Sequence, residues 1–190
     1  MPITTLDPKT ALIVIDLQQG IVTLPTVHPA AEIVRLSRSL ADAFRRQRLP
    51  VVLVTVAASA PGRVEQSLSA ATRPPGWTDP VADMTPQPGD HTVSKRQWGA
   101  FTNTDLDAYL KARGVTQVVL CGIATSIGVE STARHAHELG YNVTLAIDAM
   151  TDRNADAHLN SVTRIFPRLG ETGTAAEIIA MVEATGPRRT

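Results

Sequence analysis

The chain predicts an α/β fold: a three-layer α/β/α sandwich around an open, largely parallel six-stranded sheet. Two observations carry this. Short apolar, β-branched runs recur along the sequence, and longer stretches with apolar residues at helical spacing separate them. The runs lack the polar alternation of a half-exposed sheet, so they read as strands buried on both faces. Right-handed β-α-β crossovers between such strands place helices on both sides of one sheet.

The strands expected in order are ALIVI (11–15), VVLVTV (51–56), HTVS (91–94), QVVLCGI (117–123), NVTLAI (142–147) and a short last one near ETGT (171–174). Helices are expected over 30–47, 104–114, 128–140, 154–166 and 175–184, several of them closed by Gly or by basic residues. One domain over 1–190 is expected, with 185–190, GPRRT and the residue before it, as a flexible tail.

Residues 57–90 break the rhythm and hold six of the 13 prolines. A connection of that length in a compact α/β domain is usually a functional wall or lid. A short helix is expected within RVEQSLSA (63–70), and an extended, turn-rich path through RPPGWTDP (73–80), where Trp77 either closes over a ligand or packs on the domain surface.

Composition excludes several classes. Lys plus Arg and Asp plus Glu are both 18, so no net field favours nucleic acid or an anionic membrane, and a small, locally recognised substrate fits better. A single cysteine, Cys121, rules out an internal disulfide. The segment MPITTLDPKT lacks a basic region followed by an apolar run, and no stretch approaches the roughly 20 apolar residues that span a bilayer. A cytoplasmic location is the expectation.

Three places can carry chemistry. Asp16 ends the first apolar strand, and a carboxylate at the carboxyl edge of a parallel sheet points into the crevice where such folds bind ligands. Lys95 lies just past HTVS, and the same edge argument brings its ammonium toward Asp16 if the two strands are neighbours. The loop GIATSIGV (122–129) runs into a helix start, whose unpaired N–H groups can hold an oxyanion or a carboxylate. Thr125 or Ser126 is expected to cap that helix. Asp148, closing the fifth strand, is expected to tether a loop by hydrogen bonding. His135 and His137 are two apart on a helix and face apart, so no metal pair is expected.

The blocks VIDLQQGI (14–21), SKRQWGAF (94–101) and QVVLCGIATSIGVESTAR (117–134) together resemble the signature blocks of the isochorismatase-like family, and the resemblance runs from about residue 10 to about 183. Most members carry an Asp, a Lys and a Cys there, and the matching residues are Asp16, Lys95 and Gly128. The resemblance therefore implies Asp16 and Lys95 as catalytic residues and an empty nucleophile position at Gly128. It further implies substrate contacts from Gln18, Ile21, Trp77, Trp98, Ile123, Ala124 and Thr125, with a cis peptide at Ile123–Ala124 turning amides toward the substrate. A homo-dimer or higher homo-oligomer is implied, with no cofactor.

The glycine disfavours covalent amide cleavage, which needs a thiolate. The metal site of nicotinamidases is not expected either, because the stretch after the second strand has no His. True isochorismatases similarly carry glycine at this position and hydrolyse a vinyl ether without a covalent step, so hydrolysis of isochorismate or a related small carboxylated compound, with Asp16 as acid/base, is the leading expectation. Ile21 stands where members often have an aromatic residue, which bears on substrate choice. Two other readings compete: a ligand-binding paralogue without catalysis, and a serine hydrolase in which Ser126, Asp148 and His158 follow the chain order of a nucleophile-elbow enzyme.

Overall fold

The computed structural model describes residues 2–60, 62–65 and 73–184. Six strands form one sheet: β1 (Thr10–Ile15), β2 (Val51–Val56), β3 (His91–Lys95), β4 (Gln117–Ile123), β5 (Asn142–Thr151) and β6 (Glu171–Gly173). Their order is β3-β2-β1-β4-β5-β6. Every pairing is parallel. β1 and β4 are buried at every position, which is why their sequences read as unbroken apolar runs.

Helices cover both faces. On one side, α2 (Ala30–Arg46) and α7 (Ala175–Ala184) pack over Leu12, Val14, Val119 and Cys121. On the other side, α3 (Leu106–Ala112), α4 (Glu130–Glu138) and α6 (Phe166–Leu169) cover Ile13, Ile15, Val118 and Leu120. Alternate residues of the same strand thus enter opposite layers, which completes the three-layer sandwich. Among the described residues, no helix is long and apolar enough to cross a membrane.

Several local expectations change. Strand β5 runs on to Thr151 rather than ending before Asp148, because its register against β4 shifts between Leu120 and Gly122. Asp148 therefore lies inside the strand, where its carboxylate accepts the Ala175 N–H at 2.7 Å and anchors the start of α7. The helix expected over 154–166 begins as α5 (Ala155–Asn160), with the Asn154 side chain capping it. It continues through a π-helical turn at Ser161–Ile165 into α6, where Pro167 has no N–H to donate.

A one-turn helix α1 (Gln19–Val22) follows β1 directly. Residues 63–65 are not helical, while the rest of the expected 63–70 helix and the 185–190 tail lie outside the described residues. Residues 77–81 fold back on the chain after Asp16: Gly20 donates to the Trp77 carbonyl at 2.9 Å, Gln19 to Asp79 at 2.9 Å, and Val81 to Leu17 at 3.1 Å. Turns at Pro74–Trp77 and Gly76–Asp79 match the turn-rich reading of this stretch.

Gly122 ties the two central strands together just below the site. Its φ is +116°, and a Cβ there would lie 2.1 Å from the Ile15 carbonyl oxygen. Gly122→Ala is expected to cost on the order of 3 kcal/mol or more, from strain and from displacement of β1. A urea unfolding midpoint equal to wild type would refute that contact.

Candidate active site

The carboxyl ends of β1, β3 and β4 converge at one edge of the sheet. Asp16 follows β1 with φ +53°, a left-handed conformation that non-glycine residues seldom adopt and that collects at functional sites. Lys95 is the last residue of β3. β1 and β3 are not neighbours, contrary to the condition set from sequence, because β2 lies between them. Two inter-strand spacings amount to about 10 Å. The four-carbon stem of Lys95 crosses over the end of β2 to close that distance.

The pair that results is buried: the Lys95 and Asp16 side chains are 1% and 7% exposed, and Lys95 Nζ donates to Asp16 Oδ2 at 2.8 Å. A second Lys95 N–H donates to the Trp98 carbonyl at 2.8 Å. Asp16 Oδ1 is buried with no hydrogen-bond partner among the described residues. A buried carboxylate oxygen without a donor is costly unless it is protonated or meets a ligand. Burial raises the Asp16 pKa from the ordinary 3.8 to about 6, against the opposing charge and hydrogen bond of Lys95.

Gly128 completes the edge. A Cβ added there would lie 2.9 Å from Ile15 Cγ2, 3.3 Å from Lys95 Nζ and 3.4 Å from Asp16 Oδ2. Any side chain at position 128 would thus project against the ion pair, and the glycine leaves that place empty. The loop before it bears the cis Ile123–Ala124 peptide expected for this segment. A π-helical turn over Thr125–Val129 then leads into α4.

The capping expected of Thr125 or Ser126 does not form. Instead Asp152, from the end of β5, accepts both the Ser126 N–H at 2.7 Å and the Ser126 hydroxyl at 2.8 Å. The Thr125 hydroxyl pairs with His158 Nδ1 at 2.9 Å. The serine-hydrolase constellation is therefore not assembled: Ser126 meets Asp152, His158 meets Thr125, and Asp148 holds α7. Thr132 adds a further clamp, donating to the Gly128 carbonyl at 2.7 Å and accepting from the Ala100 N–H at 3.0 Å.

The remaining sequence-predicted residues divide by placement. Gln18 is fully buried, and its amide is engaged by the Val56 N–H and by the Val56 and Trp77 carbonyls, so it braces the wall. Trp77 lies against Gly20, where even a Cβ would collide with the indole, and the Arg73 guanidinium stacks 4.3 Å from its ring centroid. Trp98 is 62% exposed and reaches the pair through its carbonyl. Ile21 and Ala124 pack partly buried against the α2 and α7 layer, and Ile123 is buried there. Asp152, His158 and Thr132 are site-supporting residues that sequence reading did not single out for this role.

Fold and edge geometry together give an α/β/α domain with a buried acid–cation pair at the carboxyl edge of its parallel sheet. The isochorismatase domain model matches residues 10–177, and the chain belongs to the isochorismatase family. It is 41% identical over 182 residues to the uncharacterized isochorismatase family protein YwoC of Bacillus subtilis, covering 92% of this chain and 95% of that protein. It is 43% identical over 179 residues to the uncharacterized family protein YecD of Escherichia coli O157:H7, covering 90% and 94%. An isochorismatase family protein of Burkholderia thailandensis superposes with a TM-score of 0.90 at 44% identity, over 94% of this chain and 98% of that one.

The geometry sets the direction of Asp16's titration. The folded state holds this proton more tightly than the unfolded chain, so ionising Asp16 subtracts stability as pH rises from about 4 to about 6 and changes nothing further above that window. In a carbon-13 NMR titration the Asp16 carboxyl is expected to have its midpoint near 6, and Lys95→Met is expected to move it higher by removing the cation that lowers it. A wild-type midpoint near 4, or a downward move in Lys95→Met, would contradict the pairing.

Proposed function

We propose that this hydrolase cleaves the vinyl ether of isochorismate or of a related small carboxylated compound by acid catalysis, without a covalent enzyme intermediate. The observation that carries the reading is Gly128: the position facing both Asp16 and Lys95 holds no side chain, so neither a thiol nor a hydroxyl stands where a nucleophile would meet the pair. The chain's one thiol does not replace it. Cys121 is fully buried in β4 on the α2 and α7 side, and burial pushes its pKa up to about 12.

Asp16, near pH 6 an even mixture of acid and carboxylate, transfers its proton to the terminal CH2 carbon of the enol ether. The double-bond electrons form the new C–H bond and leave an oxocarbenium ion, stabilised beside the Asp16 carboxylate. Water adds to that carbon and returns a proton to Asp16. The hemiketal then breaks its C–O bond to the ring, releasing pyruvate and the ring alcohol. Lys95, with two of its three N–H groups engaged by Asp16 and Trp98, directs the third toward a substrate carboxylate.

Other relatives bear amide-hydrolase names. The ureidoacrylate amidohydrolase RutB of Variovorax paradoxus is 45% identical over 75 residues, 39% of this chain and 30% of that protein. An N-carbamoylsarcosine amidase of Thermoplasma acidophilum superposes with a TM-score of 0.72 at 26% identity. Amide cleavage through a thiolate has no support from position 128 here. The non-catalytic reading stays open to the same test, since a binding paralogue could keep Asp16 and Lys95.

The same reading has the enzyme as a cytoplasmic homo-dimer or larger assembly, with the exposed Trp98 indole supplying apolar contact surface, and light scattering at a monomer mass would reject that part. For the chemistry, pyruvate release from isochorismate is expected to fall by roughly 100-fold to 10,000-fold in Asp16→Asn, while wild type pretreated with iodoacetamide keeps its full rate. Inactivation by the alkylating agent would implicate a thiol and overturn the mechanism. Absence of turnover in wild type would remove isochorismate as the substrate.

A further inference from the structure

At the opposite edge of the sheet from Asp16 lies a cleft of about 540 Å³ that the reaction does not use. That volume falls within the range of small-molecule sites. Its lining includes Lys9, Arg45, Arg48, Asp90, Tyr109 and Arg113, four cations against one carboxylate in a chain of zero net charge. Lys9 immediately precedes β1, and the six residues of that strand span about 20 Å before Asp16 is reached.

The four cations are not equivalent. Arg45 is neutralised in place, donating to Asp90 at 2.7 and 3.1 Å and to Asp42 at 3.0 Å. Lys9, Arg48 and Arg113 have no ion pair among the described residues. The Arg113 guanidinium lies 3.8 Å from the Tyr109 ring centroid, and that ring in turn stacks on His91 at 3.8 Å. Stacking fixes the plane of the guanidinium and leaves its edge N–H groups available to an anion.

Arg48 gives the second, independent indication. It follows α2 with φ +55°, the left-handed position after a helix that glycine fills most readily. The chain carries a long cation at a backbone position that disfavours any Cβ, and that cation lines the cleft. Arg113 caps the carboxyl end of α3 and there also answers the helix dipole, whereas Arg48 lies beyond the last turn of α2 and Lys9 belongs to no helix.

We propose that this cleft is a second ligand site, taking a small polyanion with at least two phosphate or carboxylate groups, held by Lys9, Arg48 and Arg113. It is physically separate from the Asp16–Lys95 pair and stands whatever the substrate of that pair proves to be. Calorimetric titration of the intact protein at low ionic strength, with pyrophosphate and separately with citrate, tests it. Saturable one-to-one binding of at least one is expected, weakened about tenfold or more in Arg48→Gly and in Arg113→Ala and retained in Lys95→Met. Because glycine suits the backbone at position 48, Arg48→Gly is expected to keep or raise the melting temperature, which separates lost binding from lost folding. No saturable binding of either anion would overturn the proposal, as would equal binding by the two arginine variants, or binding lost in Lys95→Met instead.

Discussion

The Lys95–Asp16 pair is the constraint on which this edge of the molecule depends. Two opposite charges withdrawn from water are tolerated only where their geometry and remaining hydrogen bonds are held tightly. Much of the surrounding structure does that holding. The Trp98 carbonyl takes a second Lys95 proton, Thr132 joins the Ala100 N–H to the Gly128 carbonyl, and Gly122 lets β1 and β4 approach closely enough to aim Asp16. Asp16 Oδ1 has no hydrogen-bond partner among the described residues, so a proton or a ligand donor would meet it there.

The parallel sheet makes such a pair possible. All six strands end their carboxyl termini at one edge, so residues distant in sequence meet there. Asp16 and Lys95 are 79 residues apart and share a 2.8 Å contact. The wall segment, pinned to residues 17–20 by backbone bonds and by buried Gln18, covers the turn that follows Asp16. Burial is what raises the Asp16 pKa to about 6, against the opposing pull of Lys95.

How much of this was legible in sequence depended on whether the signal was local. β1, β2 and β4 stood out because burial on both faces removes polar residues, leaving runs such as ALIVI and QVVLCGI. Local sequence ends β5 before Asp148, a residue type that often terminates strands, whereas its carboxylate is taken up by the start of α7. Asp152 carries no local signal for a similar reason: it holds the Ser126 turn 26 residues earlier, and local capping rules reach only three or four positions. Asp16 and Lys95 stand out through the strand-edge argument and the family blocks rather than through periodicity, and spacing does not reveal that β2 lies between their strands. Gly128 is visible in sequence as a letter, but only the fold shows that its position faces both members of the pair.

The measurement that tests the central claim most directly is the pH dependence of kcat/KM for pyruvate release from isochorismate. With protonated Asp16 as the acid, the rate should fall as pH rises through an apparent pKa near 6, and that inflection should move upward in Lys95→Met. A profile flat through this range in wild type, or an inflection that persists unchanged in Asp16→Asn, would contradict the assignment of the buried pair as the reacting acid.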